Sequence, residues 1–320
     1  MPRLRKAIFN NKVYFITLSV REGIMLPAND LVKFVLKAAM LKALKHHPIT
    51  ISHFIVNGTH IHIILRVYNP QDIPGYMERF KTESAHYLNN LIGRNQRAVW
   101  CSSYDSPMLL LPEDVIEKII YLYTNPVKDG LIDSIEHYPG LSSWQSYKNR
   151  KSYIKGQLIS RDDVFEVDQE QGDDYFRRKR NLLSKSAGKE RVIKIDPNDW
   201  MKAFSNIDIK ETNDRIIELI KQREEETRNR FKEEKRNFMG LPKLVNQGIN
   251  LTYIPKRKGK KMWCISFDIE LRISYINFLK ELAKQARDVY LSWCEGDVTK
   301  RIPEGMFAPR MPVLANYFVG

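Results

Sequence analysis

The sequence contains very little cysteine and no long hydrophobic run. Its 320 residues include three cysteines, Cys101, Cys264 and Cys294, and none of them forms a Cys-x-x-Cys pair. Three scattered thiols are too few for a disulfide framework and argue against a zinc ribbon. There is no stretch of about 18 apolar residues, and the apolar segment behind the basic start is too short for a signal peptide. We therefore expect a protein of the reducing cytoplasm with no membrane attachment.

The charge of the sequence is positive along the whole chain. Lys and Arg number 52 against 38 Asp and Glu, which gives a net charge of +14 and an isoelectric point near 9.5. The excess is +6 up to residue 150, from 18 basic and 12 acidic residues, and +8 beyond it, from 34 and 26. Such a charge favours polyanions, although a merely soluble basic protein can have the same composition. Since no membrane segment is expected, nucleic acid is the expected partner.

Residues 1–150 combine strand and helix patterns. Segments rich in β-branched and aromatic residues predict four strands, at 13–20, 49–56, 60–67 and 98–104. Asn57-Gly58 between the second and third of these predicts a hairpin turn. Apolar residues at helical spacing predict two helices, at 29–45 and 73–91.

A third helix is predicted to begin at Pro112, where acidic residues follow in the first turn. We expect it to end near Asn125, because Pro126 disfavours helical backbone in the residue before it. The resulting order of elements predicts an α+β chain with a ferredoxin-like sandwich, in which an antiparallel sheet carries helices on one face.

Residues 151–320 differ in character, and we predict that they form a second domain, a charged and mainly helical extension of unknown role. It contains two predicted helices and one predicted hairpin, at 209–238, 268–293, and 251–254 with 262–267. The far half of the first helix is crowded with Glu, Lys and Arg, which predicts a solvated or charge-facing surface. The domain boundary is thus expected between 1–150 and 151–320.

His60 and His62 alternate with isoleucine on a predicted strand, so both side chains lie on one face of it. Two neighbouring imidazoles can hold a metal ion. His-x-His pairs are also common in strands that bind no metal, so the pattern alone leaves both roles open. The other histidines are interpreted as structural: His46, His47, His53, which has no evident partner on its strand, His86 and His137.

Tyr121 and Asn125 are separated by one helical turn and share a helix face, whereas Tyr123 points elsewhere and is expected to pack. A phenol with a pKa near 10 is a poor nucleophile unless a neighbouring group favours its anion. A metal ion on the histidine pair would do so. A tyrosine at a helix end with an asparagine cap is the simpler alternative.

Three segments resemble motifs of the single-tyrosine HUH transposases, the insertion-sequence and REP-associated family. Residues 57–65 resemble its HUH strand, 121–132 its nucleophile helix, and 138–144 the segment that follows. The order and spacing also agree, over about residues 10–150. Gly58-Thr59 departs from the Pro-Asn pair that is common before the histidines. The carboxyl-terminal half resembles an extension of some longer relatives.

The resemblance implies a nucleophile, Tyr121, and a divalent metal, Mg²⁺ or Mn²⁺, held by His60, His62 and Asn125. The implied reaction cleaves and rejoins single-stranded or hairpin DNA through a 5′-phosphotyrosine intermediate. One tyrosine per chain implies a possible homodimer or a stepwise reset, and the implied location is cytoplasmic and nucleoid-associated. Two alternatives remain: a catalytically silent protein that binds hairpins in DNA or RNA, and a metal-dependent phosphodiesterase that uses water.

Several basic residues are candidate phosphate contacts: Arg3, Arg5, Lys6, Arg79, Lys81 and Lys128. In the extension, the patches 177–180 and 256–261 are candidates for a longer DNA footprint, with Trp263 or Tyr253 for base stacking. Each of these residues is equally compatible with a solvated or structural role.

Overall fold

Strands and helices alternate in the first half of the protein. The structure is a computed structural model, and it describes residues 6–21, 23–91, 94, 97–164, 190–248, 250–253 and 262–312. The elements of this half are β1 (Val13–Ser19), β2 (Gly23–Met25), α1 (Asp30–His46), β3 (Thr50–Val56), β4 (His60–Arg66), α2 (Asp72–Leu91), β5 (Met108–Leu109), α3 (Pro112–Lys128) and α4 (Trp144–Lys148), with a 3-10 helix at Ile135–His137. The predicted strands β1, β3 and β4 and helices α1 and α2 are confirmed to within one residue or so.

The second half contributes shorter strands and two long helices. Its elements are β6 (Tyr153–Gln157), β7 (Glu190–Lys194), a 3-10 helix (Asp199–Ala203), α5 (Ile209–Glu233), α6 (Leu241–Val245), β8 (Asn250–Tyr253), β9 (Cys264–Ile265) and α7 (Ile269–Cys294). None of the helices in the described ranges is both long and apolar enough to cross a membrane.

The central sheet has the strand order β3-β4-β1-β5-β9. Its pairs are antiparallel except β5 with β9, which is parallel. The strand predicted at 98–104 is wrong: this segment makes only a single bridge, from Trp100 to Val20 just after β1. The strand that pairs with β1 on this side is β5, which lies opposite Val13 and Tyr14. The register places His62 opposite Thr17 on β1 and Ile55 on β3.

The sheet separates two hydrophobic cores, because successive side chains of each strand point to opposite faces. Ile16, Ile61 and Ile63 enter the core formed with α1 and α2. Phe15 and Ile64 enter the other core, beneath α3 and α5. The predicted α+β class and antiparallel sheet are confirmed, with α1 and α2 on one face as expected, and α3 covers the opposite face. The two histidines of β4 lie on the α3 side.

Helix α3 continues through Pro126 to Lys128, so the predicted end near Asn125 is wrong. Proline removes one backbone N–H donor and disfavours, without forbidding, helical backbone before it. The next turn still closes, because Asp129 N–H donates to Asn125 O at 2.9 Å. Asn125 therefore stays in helical register with Tyr121.

Residues beyond 150 pack into both cores. Ile193 and Ile195 enter the α1–α2 core, and Trp200 and Ile216 enter the α3 core. The predicted hairpin of 251–254 with 262–267 is wrong, because β8 pairs with β2 and β9 with β5. The far half of α5 is also less solvated than expected: Phe231 and Glu224 are buried. Glu224 accepts hydrogen bonds from Ser134 Oγ at 2.9 Å and Ile135 N at 2.7 Å.

Candidate active site

His60 and His62 form the floor of the site, with ring centroids 4.4 Å apart. They lie on one face of β4 because Ile61 between them points into the opposite core. His60 is paired in register with Ser19 and His62 with Thr17 on β1. The sheet thus fixes two imidazoles side by side beneath α3.

His62 is a buried, neutral imidazole. Its Nδ1 lies 3.0 Å from Thr17 Oγ1, and its ring stacks on Phe15 at a centroid distance of 4.8 Å. Burial holds the pKa of His62 well below its usual value, and His60 and Lys118 lower it further. Its Nε2 is buried and has no hydrogen-bond partner among the described residues. With the proton on Nδ1, donated to Thr17, Nε2 keeps a free lone pair.

His60 lies between two asparagine amides. Its Nδ1 is 2.9 Å from Thr59 Oγ1, and its Nε2 is 3.3 Å from Nδ2 of both Asn57 and Asn125. Burial lowers the pKa of His60 to about 4. The imidazole is therefore neutral near pH 7 and offers a lone pair.

Tyr121 and Asn125 reach the histidines from α3. The Tyr121 ring centroid lies 5.6 Å from that of His62, and the Asn125 side chain is buried against His60. Burial raises the pKa of Tyr121, and the charge of Asp129 raises it further. The phenol by itself is therefore held in its protonated form. The structure brings together all four residues that the sequence singled out.

Two lysines flank Tyr121. Lys118 Nζ lies 5.1 Å and Lys128 Nζ 5.6 Å from the centre of its ring. Burial lowers the pKa of Lys118, and the charges of Glu117 and Asp114 offset part of this lowering. Lys118 is three residues before Tyr121, so helical spacing could have indicated it. Thr17, by contrast, becomes a neighbour of His62 through the register of β1 on β4, which the sequence did not reveal. Asn57 reaches His60 through the hairpin turn that was predicted at Asn57-Gly58.

The other predicted phosphate contacts lie in other surroundings. Lys6 donates to Tyr104 O, Arg79 pairs with Glu83 at 3.0 Å, and Lys81 donates to Ser102 O at 2.7 Å. Of the predicted phosphate contacts within the described residues, Lys128 lies beside Tyr121. Arg3, Arg5 and the patches 177–180 and 256–261 lie outside the described residues. Trp263 packs against the α1–α2 core.

His53 does have partners, contrary to its interpretation as an isolated strand residue. It is fully buried, with Nδ1 2.9 Å from Tyr123 Oη and Nε2 3.1 Å from Pro197 O. Tyr123 is fully buried and packs in the core. The expected packing role of Tyr123 is thus confirmed.

The donor set of His60, His62 and Asn125 fits a divalent cation. His62 Nε2 is an acceptor without a donor, which a cation would satisfy. Across the described part of the chain, no third His, Cys, Asp or Glu joins the pair, so the remaining protein donor is an amide. Two imidazoles are softer ligands than the oxygen shell that Mg²⁺ prefers. Of the two expected ions, Mn²⁺ therefore fits better.

Comparison with known proteins finds one matching family model and a similar solved structure. Residues 10–109 match the family model described as transposase IS200 like, which confirms the predicted family for this segment. Among solved structures, the chain is similar to a REP-associated tyrosine transposase bound to a REP hairpin, at 19% identity and a TM-score of 0.40, over 47% of this chain and 87% of that one. No curated protein matches the chain. The family match includes both histidines and ends before α3.

Proposed function

Residues 10–109 match the family model described as transposase IS200 like, and from this match we propose that the chain cleaves and rejoins single-stranded DNA with Tyr121 as its nucleophile. The observation that carries the proposal is the convergence of Tyr121 and Asn125 from α3 on the histidine pair of β4. The tyrosine supplies the nucleophile for a phosphoryl transfer, and the two neutral imidazoles supply nitrogen ligands for the metal ion that the transfer needs. The expected substrate is single-stranded or hairpin DNA.

In the first step, the Tyr121 oxygen attacks phosphorus and the bond from phosphorus to the 3′ oxygen breaks. The phenolic proton passes to solvent, the leaving 3′ oxygen takes a proton from solvent and becomes a hydroxyl, and the 5′ phosphate stays on the tyrosine. Attack by another 3′-hydroxyl reverses these bond changes and releases the phenol. The phosphodiester energy is conserved in the tyrosine ester, so rejoining needs no ATP.

The surroundings of Tyr121 supply what a protonated phenol lacks. Lys118 and Lys128 place ammonium groups beside its ring, where they stabilise a phenolate and the charge of the phosphate. His60, His62 and Asn125 would hold a divalent cation, which would supply Lewis-acid stabilisation of the phosphate oxygens. Thr17 orients His62 by its contact with Nδ1.

A covalent-trapping gel tests the proposal. The full-length protein is incubated with single-stranded hairpin oligonucleotides from the DNA that flanks its gene, with Mn²⁺ or with EDTA. We expect a denaturant-resistant protein–DNA band that requires Mn²⁺, that Tyr121→Phe abolishes, and that Tyr153→Phe, at an exposed tyrosine on β6, retains.

The other outcomes each favour a different function. An adduct that persists in Tyr121→Phe would disprove the nucleophile. Cleavage in Mn²⁺ without any adduct would favour the water-using phosphodiesterase. Tight hairpin binding with neither cleavage nor adduct would favour the silent binding protein.

A further inference from the structure

Asn57 occupies the last position before the turn that joins β3 to β4. Its backbone N–H donates to His60 O at 2.8 Å, so the two residues face each other across the hairpin. Side chains of directly opposed residues lie on the same face of a sheet with neighbouring Cβ atoms. The turn therefore brings the Asn57 amide to the face of the sheet that holds the histidines.

The Asn57 side chain is buried and only half satisfied. It is 4% exposed, its Nδ2 lies 3.3 Å from His60 Nε2, and its Oδ1 is buried without a hydrogen-bond partner in the described part of the chain. The neighbouring His62 Nε2 is a second buried acceptor in the same condition. Buried polar atoms normally have partners, and the unpaired atoms of Asn57 and His62 belong to the two side chains that adjoin His60, which is the surrounding a bound cation would complete.

The side-chain amides of Asn57 and Asn125 lie at the same distance from His60. Asn57 Nδ2 and Asn125 Nδ2 both lie 3.3 Å from His60 Nε2. A half-turn of a terminal amide exchanges its nitrogen and oxygen, so each amide can present Oδ1 where Nδ2 lies, and the Oδ1 of Asn57 gives up no hydrogen bond in doing so. Adjacent ligands of an octahedral ion with bonds of ~2.1 Å are about 3 Å apart, which is close to this spacing.

We propose that Asn57 is a further protein ligand of the divalent cation and binds it through Oδ1. The inference rests on the metal site of the proposed function and extends its ligand set to two imidazoles and two amides. An uncharged amide oxygen adds a hard donor suited to Mn²⁺ or Mg²⁺ without reducing the positive charge available to the phosphate. The competing role is that of a donor to His60 Nε2, in which case Asn57 would occupy the lone pair that the metal needs.

Calorimetric titration of the full-length protein with Mn²⁺, without DNA, separates these roles. We expect Asn57→Leu to weaken binding about tenfold or more, and Asn57→Asp, which keeps an oxygen donor and adds charge, to bind as tightly as the wild type or more tightly. Asn277→Leu, at an exposed asparagine on α7, should bind as the wild type does. Circular dichroism confirms the fold of each variant.

Equal or tighter binding by Asn57→Leu would overturn the inference, as would an Asn57→Asp protein that binds as weakly as Asn57→Leu. If Asn57→Leu fails to fold, Asn57→Ala takes its place: binding about tenfold or more weaker supports the ligand role, and equal or tighter binding overturns it. A wild-type protein that binds no Mn²⁺ would instead contradict the metal site of the proposed function itself.

Discussion

Tyr121 lies in surroundings that oppose its own anion. Burial and the nearby charge of Asp129 both raise the pKa of its phenol. Lys118 lies one helical turn before it, with its ammonium nitrogen 5.1 Å from the centre of the ring, and burial lowers the pKa of that ammonium group. The charges of Glu117 and Asp114 act against this lowering, and Glu117 forms its ion pair with Arg223.

We predict that Lys118→Met slows adduct formation by about 10- to 100-fold, since it removes a charge aimed at the phenolate and the phosphate. The methionine keeps the apolar stem that packs beside Phe15 and Tyr121. Single-turnover adduct formation at saturating oligonucleotide measures the effect, with Lys221→Met on the exposed side of α5 as the control. If the rate of adduct formation at saturating oligonucleotide were unchanged and only DNA binding weaker, Lys118 would contribute to DNA binding and not to the chemical step.

At the scale of elements, His53 joins three parts of the fold. It lies on β3, contacts Tyr123 of α3 at 2.9 Å, and contacts the Pro197 carbonyl from the second half of the chain at 3.1 Å. Burial lowers the pKa of His53 to about 3, against about 6.5 in an unfolded chain. The folded state therefore excludes a proton that the unfolded state binds below pH 6.5.

The stability that His53 contributes is complete above pH 6.5 and is lost as the pH falls towards 3. Because the unfolded state binds one proton at His53 that the folded state does not, the free energy of unfolding falls by about 1.4 kcal/mol for each pH unit of acidification in that window. We predict that His53→Gln lowers stability at pH 7.5 and makes it less dependent on pH between 6 and 4.5. Urea unfolding at several pH values measures this, and the exposed His137→Gln is the control. Parallel pH profiles for wild type and His53→Gln would contradict it.

Local patterns and long-range pairing differ in how far the sequence predicts them. Helices α1 and α2 follow from apolar spacing, and the hairpin before His60 follows from Asn57-Gly58. The partners of β8 and β9 depend on strands more than 150 residues away, so their adjacency in sequence suggested a hairpin that does not form. Likewise, Thr17 reaches His62 only through the register of β1 on β4. Residues of the site that belong to one motif were therefore predictable, and those brought by pairing were not.

At the scale of the whole molecule, the second half of the chain packs against the first. The buried Asp199 of the second half pairs with Arg66 of β4 at 3.2 Å, and Arg161 pairs with the buried Glu83 of α2 at 2.9 Å. Trp200 is completely buried beneath the sheet, and β9 covers the outer edge of β5. Contacts therefore cross the predicted boundary at residue 150 on both faces of the sheet.

We predict that a chain truncated after Lys155 loses its cooperative fold. The truncation uncovers the cores that Ile195, Trp200 and Ile216 complete, and loss of a buried Trp side chain alone typically costs about 3–5 kcal/mol against a total stability of about 5–15 kcal/mol. Thermal unfolding followed by circular dichroism should show a strongly lowered or absent transition, which co-expression of residues 156–320 restores. A truncated chain that melts cooperatively at the wild-type temperature would show instead that residues 1–155 fold as an independent domain, and would make the extension separable from the site at Tyr121.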